Sequence, residues 1–147
     1  MRYSLDSNVL VYALDRGERQ KRDIALDIIS RADGLLLVLT SQVIGEFLNV
    51  VRRKNAAAYE EAIGLAADWS LLFATSPTQP EHVIAGARLA QRHKLQLWDS
   101  IILVSAKAMG AETLLTEDMQ DGAIIDDVRI VNPFAPANAA IVASLND

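Results

Sequence analysis

Short apolar runs alternate with longer amphipathic stretches along almost the whole chain, and this alternation restricts the fold more than any other feature. Leu35 to Leu39 is an unbroken aliphatic run, as expected of a strand buried on both faces. Arg2–Leu5, Leu71–Ala74, Thr113–Leu115 and Val128–Val131 read as further short strands. Helical periodicity occupies the intervals. One helix covers Val9–Leu14, capped by Ser7 or Asn8, and a second covers Glu18–Ala32, with Ile24, Ile28 and Ala32 on its apolar stripe. A third runs from a Thr40-Ser41 cap to about Lys54, and Ala56–Trp69 forms a fourth. Pro80 suits the first turn of a helix reaching His93. Asp99 opens another that ends near Gly110, and Asn132-Pro133 closes the last strand. Strands alternating with helices argue for an α/β fold: a short, mostly parallel sheet flanked by helices in three layers. The expected organisation is one domain over residues 1–134, with 135–147 as a tail, part of the same domain or flexible.

Composition narrows the class. With 147 residues, 51% hydrophobic and 22% charged, the chain is of ordinary globular type. It has no cysteine, so disulfides, thiolate zinc sites and cysteine nucleophiles are excluded. Asp6 and Asp15 interrupt the N-terminal apolar stretch, which makes a poor signal peptide. No apolar run approaches the ~20 residues that span a bilayer. A cytoplasmic protein without membrane contact is expected. The net charge of −5 runs against nucleic-acid binding, which favours cations on phosphates, unless a bound cation reverses the local sign.

The acids fall at particular places. Asp6 follows the first strand, Ser41 and Glu46 lie just beyond the second, and Asp118 and Asp121 lie in the Thr116–Gly122 loop after a late strand. Ligands of open α/β sheets bind outside the carboxyl ends of the strands. The helix opened by Asp99 can point its N-terminus at the same edge. Gathered carboxylates repel and raise one another's pKa, and a hard cation relieves that repulsion. Oxygen ligands suit Mg²⁺ or Mn²⁺, which can activate water for phosphodiester hydrolysis.

Leu5-Asp6-Ser7-Asn8-Val9-Leu10, Ser41-Gln42-Val43-Ile44-Gly45-Glu46-Phe47, Trp98-Asp99-Ser100 and Thr116-Glu117-Asp118-Met119-Gln120-Asp121-Gly122 resemble, in order and spacing, the motifs of PIN-domain proteins. With the closing Val131-Asn132-Pro133-Phe134, the resemblance extends from about Arg2 to Phe134 and is strongest to the VapC-type toxins of bacterial toxin–antitoxin pairs. It implies Asp6 and Asp99 as principal Mg²⁺ ligands, with Glu46 completing the site directly or through a water. It leaves the fourth acid between Asp118 and Asp121, the former preferred. Ser7, Asn8 and Thr116 would orient the carboxylates. An endoribonuclease acting on RNA, silenced by a cognate antitoxin and forming a homodimer, is the implied protein.

Plainer readings stand beside these. Asp99 is also an ordinary helix N-cap. Glu46 flanks the stripe of Val43, Phe47, Val50 and Val51. Arg52-Arg53-Lys54 complements a helix C-terminus, with contact of Arg53 to RNA phosphate as the alternative, and Arg16, Arg19, Lys21 and Arg22 read as solvated surface, with contact to RNA or a partner as theirs. His82 and His93 lie outside every motif, and Trp69 and Trp98 read as packing residues. No GxGxxG or Walker-type loop is present. An aspartyl-phosphate phosphatase would want an acid where Asn8 stands, and a receiver domain would want paired acids after the first strand. A non-catalytic module binding metal and a partner is the other alternative.

Overall fold

A computed structural model describes all residues, Met1–Asp147. Six strands form one sheet in the order β3-β2-β1-β4-β6-β5. They are β1 (Arg2–Leu5), β2 (Leu37–Thr40), β3 (Ala74–Ser76), β4 (Ala111–Leu115), β5 (Ile124–Ile125) and β6 (Val128–Val131). All neighbouring pairs are parallel except β5 with β6. The helices that flank the sheet are α1 (Ser7–Tyr12), α2 (Arg19–Arg31), α3 (Ser41–Lys54), α4 (Tyr59–Leu72), α5 (Pro80–His93), α6 (Leu97–Ala108) and α7 (Ala139–Ala143).

The chain builds outward from β1 to β2 and β3, then returns to lay β4 on the other side of β1. The seam between β1 and β4 is thus the point where strand order reverses, which is where such sheets form a crevice. The Asp6 N–H donates to the Leu115 carbonyl at 2.9 Å across this seam. That bond sets the residue after β1 beside the residue after β4.

One apolar core holds the layers together. Tyr3 and Leu5 of β1, Leu37 and Leu39 of β2, and Phe47 of α3 are fully buried in it. Val142 and Leu145 join the same cluster, so the segment after Phe134 packs on the domain through α7. Phe47 meets Trp69 of α4 with ring centroids 5.1 Å apart.

Several boundaries differ from the sequence reading. The aliphatic run is strand only from Leu37; Leu35 lies in a turn and is 74% exposed. Leu71 and Leu72 finish α4 instead of starting a strand, and β3 begins at Ala74. Leucine continues a helix as readily as it enters a strand, and tertiary pairing with β2 decides. α1 begins at Ser7 with Asp6, not Ser7 or Asn8, as its cap. α6 begins at Leu97 after Gln96, so Asp99 sits within its first turn and is not its N-cap. The hairpin strand β5 was not expected. No helix is long and apolar enough to cross a membrane.

Candidate active site

Asp6 caps α1 and is 3% exposed. Its Oδ1 accepts from the Ser7 N–H at 2.7 Å and its Oδ2 from the Thr116 hydroxyl at 2.8 Å. The Asn8 amide adds a longer contact at 3.4 Å. Burial pushes the Asp6 carboxyl above the usual carboxylate range, against the Thr116 and Ser7 hydrogen bonds, and Glu46 and Asp118 push it further.

Asn8 reaches across the seam. Its Nδ2 donates to Asp118 Oδ2 at 3.0 Å and contacts Thr116 Oγ1 at 3.3 Å. The Thr116 oxygen also accepts from the Asp118 N–H at 3.1 Å. Asp118, after β4, is thereby fixed next to Asp6, after β1.

Glu46 lies on the face of α3 turned to this edge. Ser7 Oγ donates to its Oε2 at 3.2 Å, and Gln42 Nε2 donates to its Oε1 at 2.7 Å. The same Gln42 nitrogen donates to the Trp98 carbonyl at 3.0 Å, tying α3 to the first turn of α6. Asp99 follows immediately. Its carboxyl is pushed up to about 6, first by burial and then by the charges of Asp6, Asp118 and Glu46. The structure therefore brings Asp6, Glu46, Asp99 and Asp118 to one electrostatic centre at the seam.

Asp121 is elsewhere. Its Oδ1 accepts from the Asn132 N–H at 2.8 Å, and both its oxygens accept from Asn138 Nδ2, at 2.9 and 3.0 Å. These bonds, the Asn132 N–H first, hold its carboxyl below the usual range. It joins the loop after β4 to the C-terminal segment.

Other sequence readings are revised here. Trp98 is 60% exposed beside Asp99, so it is not a packing residue; Trp69, 5% exposed, is. His82 accepts the Gln79 N–H through Nδ1 and so closes the start of α5. Sequence reasoning gives Gln42 no role, although its spacing of four from Glu46 places the two on one helical face. Lys21 is not free surface: it pairs with Glu117 at 2.8 Å.

The donor set fits a hard divalent cation. None of the ion pairs in the protein involves Asp6, Glu46, Asp99 or Asp118, so no side chain neutralises them. Asn8 Oδ1 and Gln42 Oε1 are buried without a partner. No three acidic or histidine side chains draw together into a ready-made cage. Mg²⁺ keeps several waters and needs only one or two carboxylates from the protein.

A largely parallel α/β sheet carrying four unneutralised carboxylates at its switch point defines the class. The chain belongs to the PIN-domain family, whose model matches residues 3–120. No curated protein sequence matches it. Solved structures with the same fold include VapC20 of Mycobacterium tuberculosis, described as a toxin that cleaves the sarcin–ricin loop. It is 14% identical, with a TM-score of 0.66, covering 86% of this chain and 98% of that one. A toxin–antitoxin complex from Klebsiella pneumoniae is 20% identical with a TM-score of 0.65, covering 89% and 97%. FitAcB of Neisseria gonorrhoeae is 18% identical with a TM-score of 0.64, covering 90% and 98%.

Proposed function

We propose that this chain is a metal-dependent endoribonuclease that hydrolyses RNA phosphodiesters, and that it is the toxin of a toxin–antitoxin pair. The observation that carries the reading is the set of four carboxylates with no protein cation among them. Asp6 and Asp99, with Glu46 and Asp118, would hold Mg²⁺ or Mn²⁺. When bound, such an ion supplies an activated water and neutralises the phosphate charge. The acids need not attack the substrate themselves.

The chain's own residues prepare that centre. Thr116 and the Ser7 N–H fix both oxygens of Asp6. Asn8 aims Asp118, while Ser7 and Gln42 aim Glu46. Trp98, exposed directly before Asp99, offers a face on which an RNA base can stack.

An antitoxin partner is supported by the kinship in fold to toxins solved with antitoxins. A cavity of about 640 Å³ at the far end of α1 suits such a partner. Its lining includes Leu14 and Val51, the cations Arg16, Arg22 and Lys54 against the acids Asp15 and Glu61, and Arg22 Nε is buried there without an acceptor. An acidic and aliphatic peptide segment complements that lining. A homodimer remains part of the proposal on the resemblance alone.

The test is cleavage of a pool of structured RNA by pure protein with Mg²⁺ or Mn²⁺, with EDTA, and with folded Asp6→Asn and Asp99→Asn. Metal-dependent cleavage that both variants lose is the expected result. Full activity in either variant overturns the site. Folded, metal-bound wild-type protein that cleaves no RNA in the pool overturns the nuclease reading and leaves a binding module.

A further inference from the structure

The loop that carries Asp118 is gripped from outside the acidic centre by a cluster in which Lys21 and Tyr12 lie outside every family motif. Glu117 lies between Thr116, which bonds Asp6, and Asp118, which bonds Asn8. Its Oε2 accepts from Lys21 Nζ at 2.8 Å, and its Oε1 accepts from the Tyr12 hydroxyl. Lys21 also donates to Tyr12 Oη at 3.2 Å. The three groups close a ring that joins the end of α1, the start of α2 and the loop after β4.

Two aromatic faces complete it. Lys21 Nζ stands 4.7 Å from the Tyr12 ring centroid and 5.7 Å from that of Phe134. The rings themselves meet edge to face at 4.9 Å. An isolated exposed ion pair contributes little. This one is partly screened, with side-chain exposures of 35% and 21%. The second carboxylate oxygen is held by the Tyr12 hydroxyl, and the ammonium adds cation–π attraction. Glu117 therefore has one favoured orientation, and its two flanking residues inherit their places from it.

We propose that Lys21 is a positioning residue for the metal centre: through Glu117 and Tyr12 it holds the Thr116–Asp118 segment where Asp118 and Asp6 face one ion. The inference rests on the metal-centre reading but not on RNA cleavage.

Charge and position make opposite demands, which gives the test its sign. Lys21→Met removes the cation paired with Glu117, the neighbour of Asp118. Through space alone, that change favours binding of a divalent cation. Loss of positioning instead weakens binding, by about tenfold if Lys21 acts as outer partners of metal ligands do. Mn²⁺ affinity is measured calorimetrically on the full chain, with folding checked by circular dichroism and thermal melting. Lys21→Met and Glu117→Gln are each expected to weaken Mn²⁺ binding to a similar extent. The double variant is expected to be no weaker than either, because the pair acts as a unit. Lys21→Arg is expected to restore most of the affinity.

Unchanged or tighter Mn²⁺ binding by folded Lys21→Met overturns the proposal alone. Additive losses in the double variant overturn it as well. Wild-type protein that binds Mn²⁺ without cleaving RNA removes the nuclease reading and leaves this one intact. Wild-type protein with no Mn²⁺ affinity removes both.

Discussion

The Thr116 hydroxyl donates to Asp6 Oδ2 at 2.8 Å across the seam between β1 and β4, with Thr116 fully buried. The bond joins two residues far apart in sequence, and it is the shortest bond Asp6 makes to another side chain. Thr116→Val leaves that carboxylate oxygen without its main donor. A loss of about 1–3 kcal/mol of stability is expected, together with weaker Mn²⁺ binding. Thr116→Ser should recover both. Urea unfolding and metal titration check it, and a valine variant matching the wild type would show the bond to be incidental.

Asp99 has a raised carboxyl, at about 6, so its linkage to folding has a defined sign. A folded-state pKa above the unfolded value gives stability below the unfolded pKa, lost as pH rises through the folded one. Metal-free protein should therefore lose stability between about pH 4 and 6 from this group. Asp99→Asn removes the loss, so it should melt higher than wild type at pH 8 in EDTA and gain nothing at pH 4. Melts at the two pH values decide, and an equal difference at both would remove the electrostatic account.

The same group predicts how pH acts on the metal. A proton and a cation compete for Asp99, so Mn²⁺ affinity should level off above about pH 6. Below that it should fall roughly tenfold per pH unit for one displaced proton. Calorimetry from pH 5 to 8 measures this. A flat profile would mean that Asp99 does not ligate the ion.

Asp118 and Asp121 should separate cleanly. Asp121 is held by Asn132 and Asn138, so Asp121→Ala should lower the melting temperature while metal affinity changes little. Asp118→Asn should do the reverse. The reverse assignment of effects would place the fourth acid at Asp121.

Gly86 of α5 lies against α6. A Cβ built there would stand 2.8 Å from Ile101 Cγ1 and 3.1 Å from the Ile101 backbone nitrogen. Alanine favours a helix over glycine by about 1 kcal/mol, yet Gly86→Ala should destabilise the protein by roughly 1–3 kcal/mol through overpacking. Because Ile101 lies two residues after Asp99, weaker metal binding should accompany the loss. A more stable Gly86→Ala variant would show that the helices separate without cost.

Much of the architecture was legible in the chain because alternation of strand-like and helix-like segments admits few packings. The positions of Asp6, Glu46, Asp99 and Asp118 relative to those segments already directed them to one edge, and the motif order pointed to the PIN family that the match over residues 3–120 establishes. Leucine-rich boundaries were not legible. Leu35, Leu71 and Leu72 are apolar wherever they sit, and only pairing with β1 assigns strand to Leu37, and pairing with β2 to Ala74. The three acids of the Thr116–Gly122 loop divide their labour only in space: Glu117 bonds Lys21 and Tyr12, Asp118 bonds Asn8, and Asp121 bonds Asn132 and Asn138.

The sequence by itself determined the class of fold and the sheet edge at which the acids fall, since periodicity and residue type are local properties that any chain with this pattern carries. Tertiary structure alone decided that Asp118 and not Asp121 lies beside Asp6, that Gln42 ties α3 to α6, and that Lys21 is engaged rather than free. Those outcomes depend on hydrogen-bond partners from distant segments, within a few ångströms of one another only after β4 has been laid beside β1.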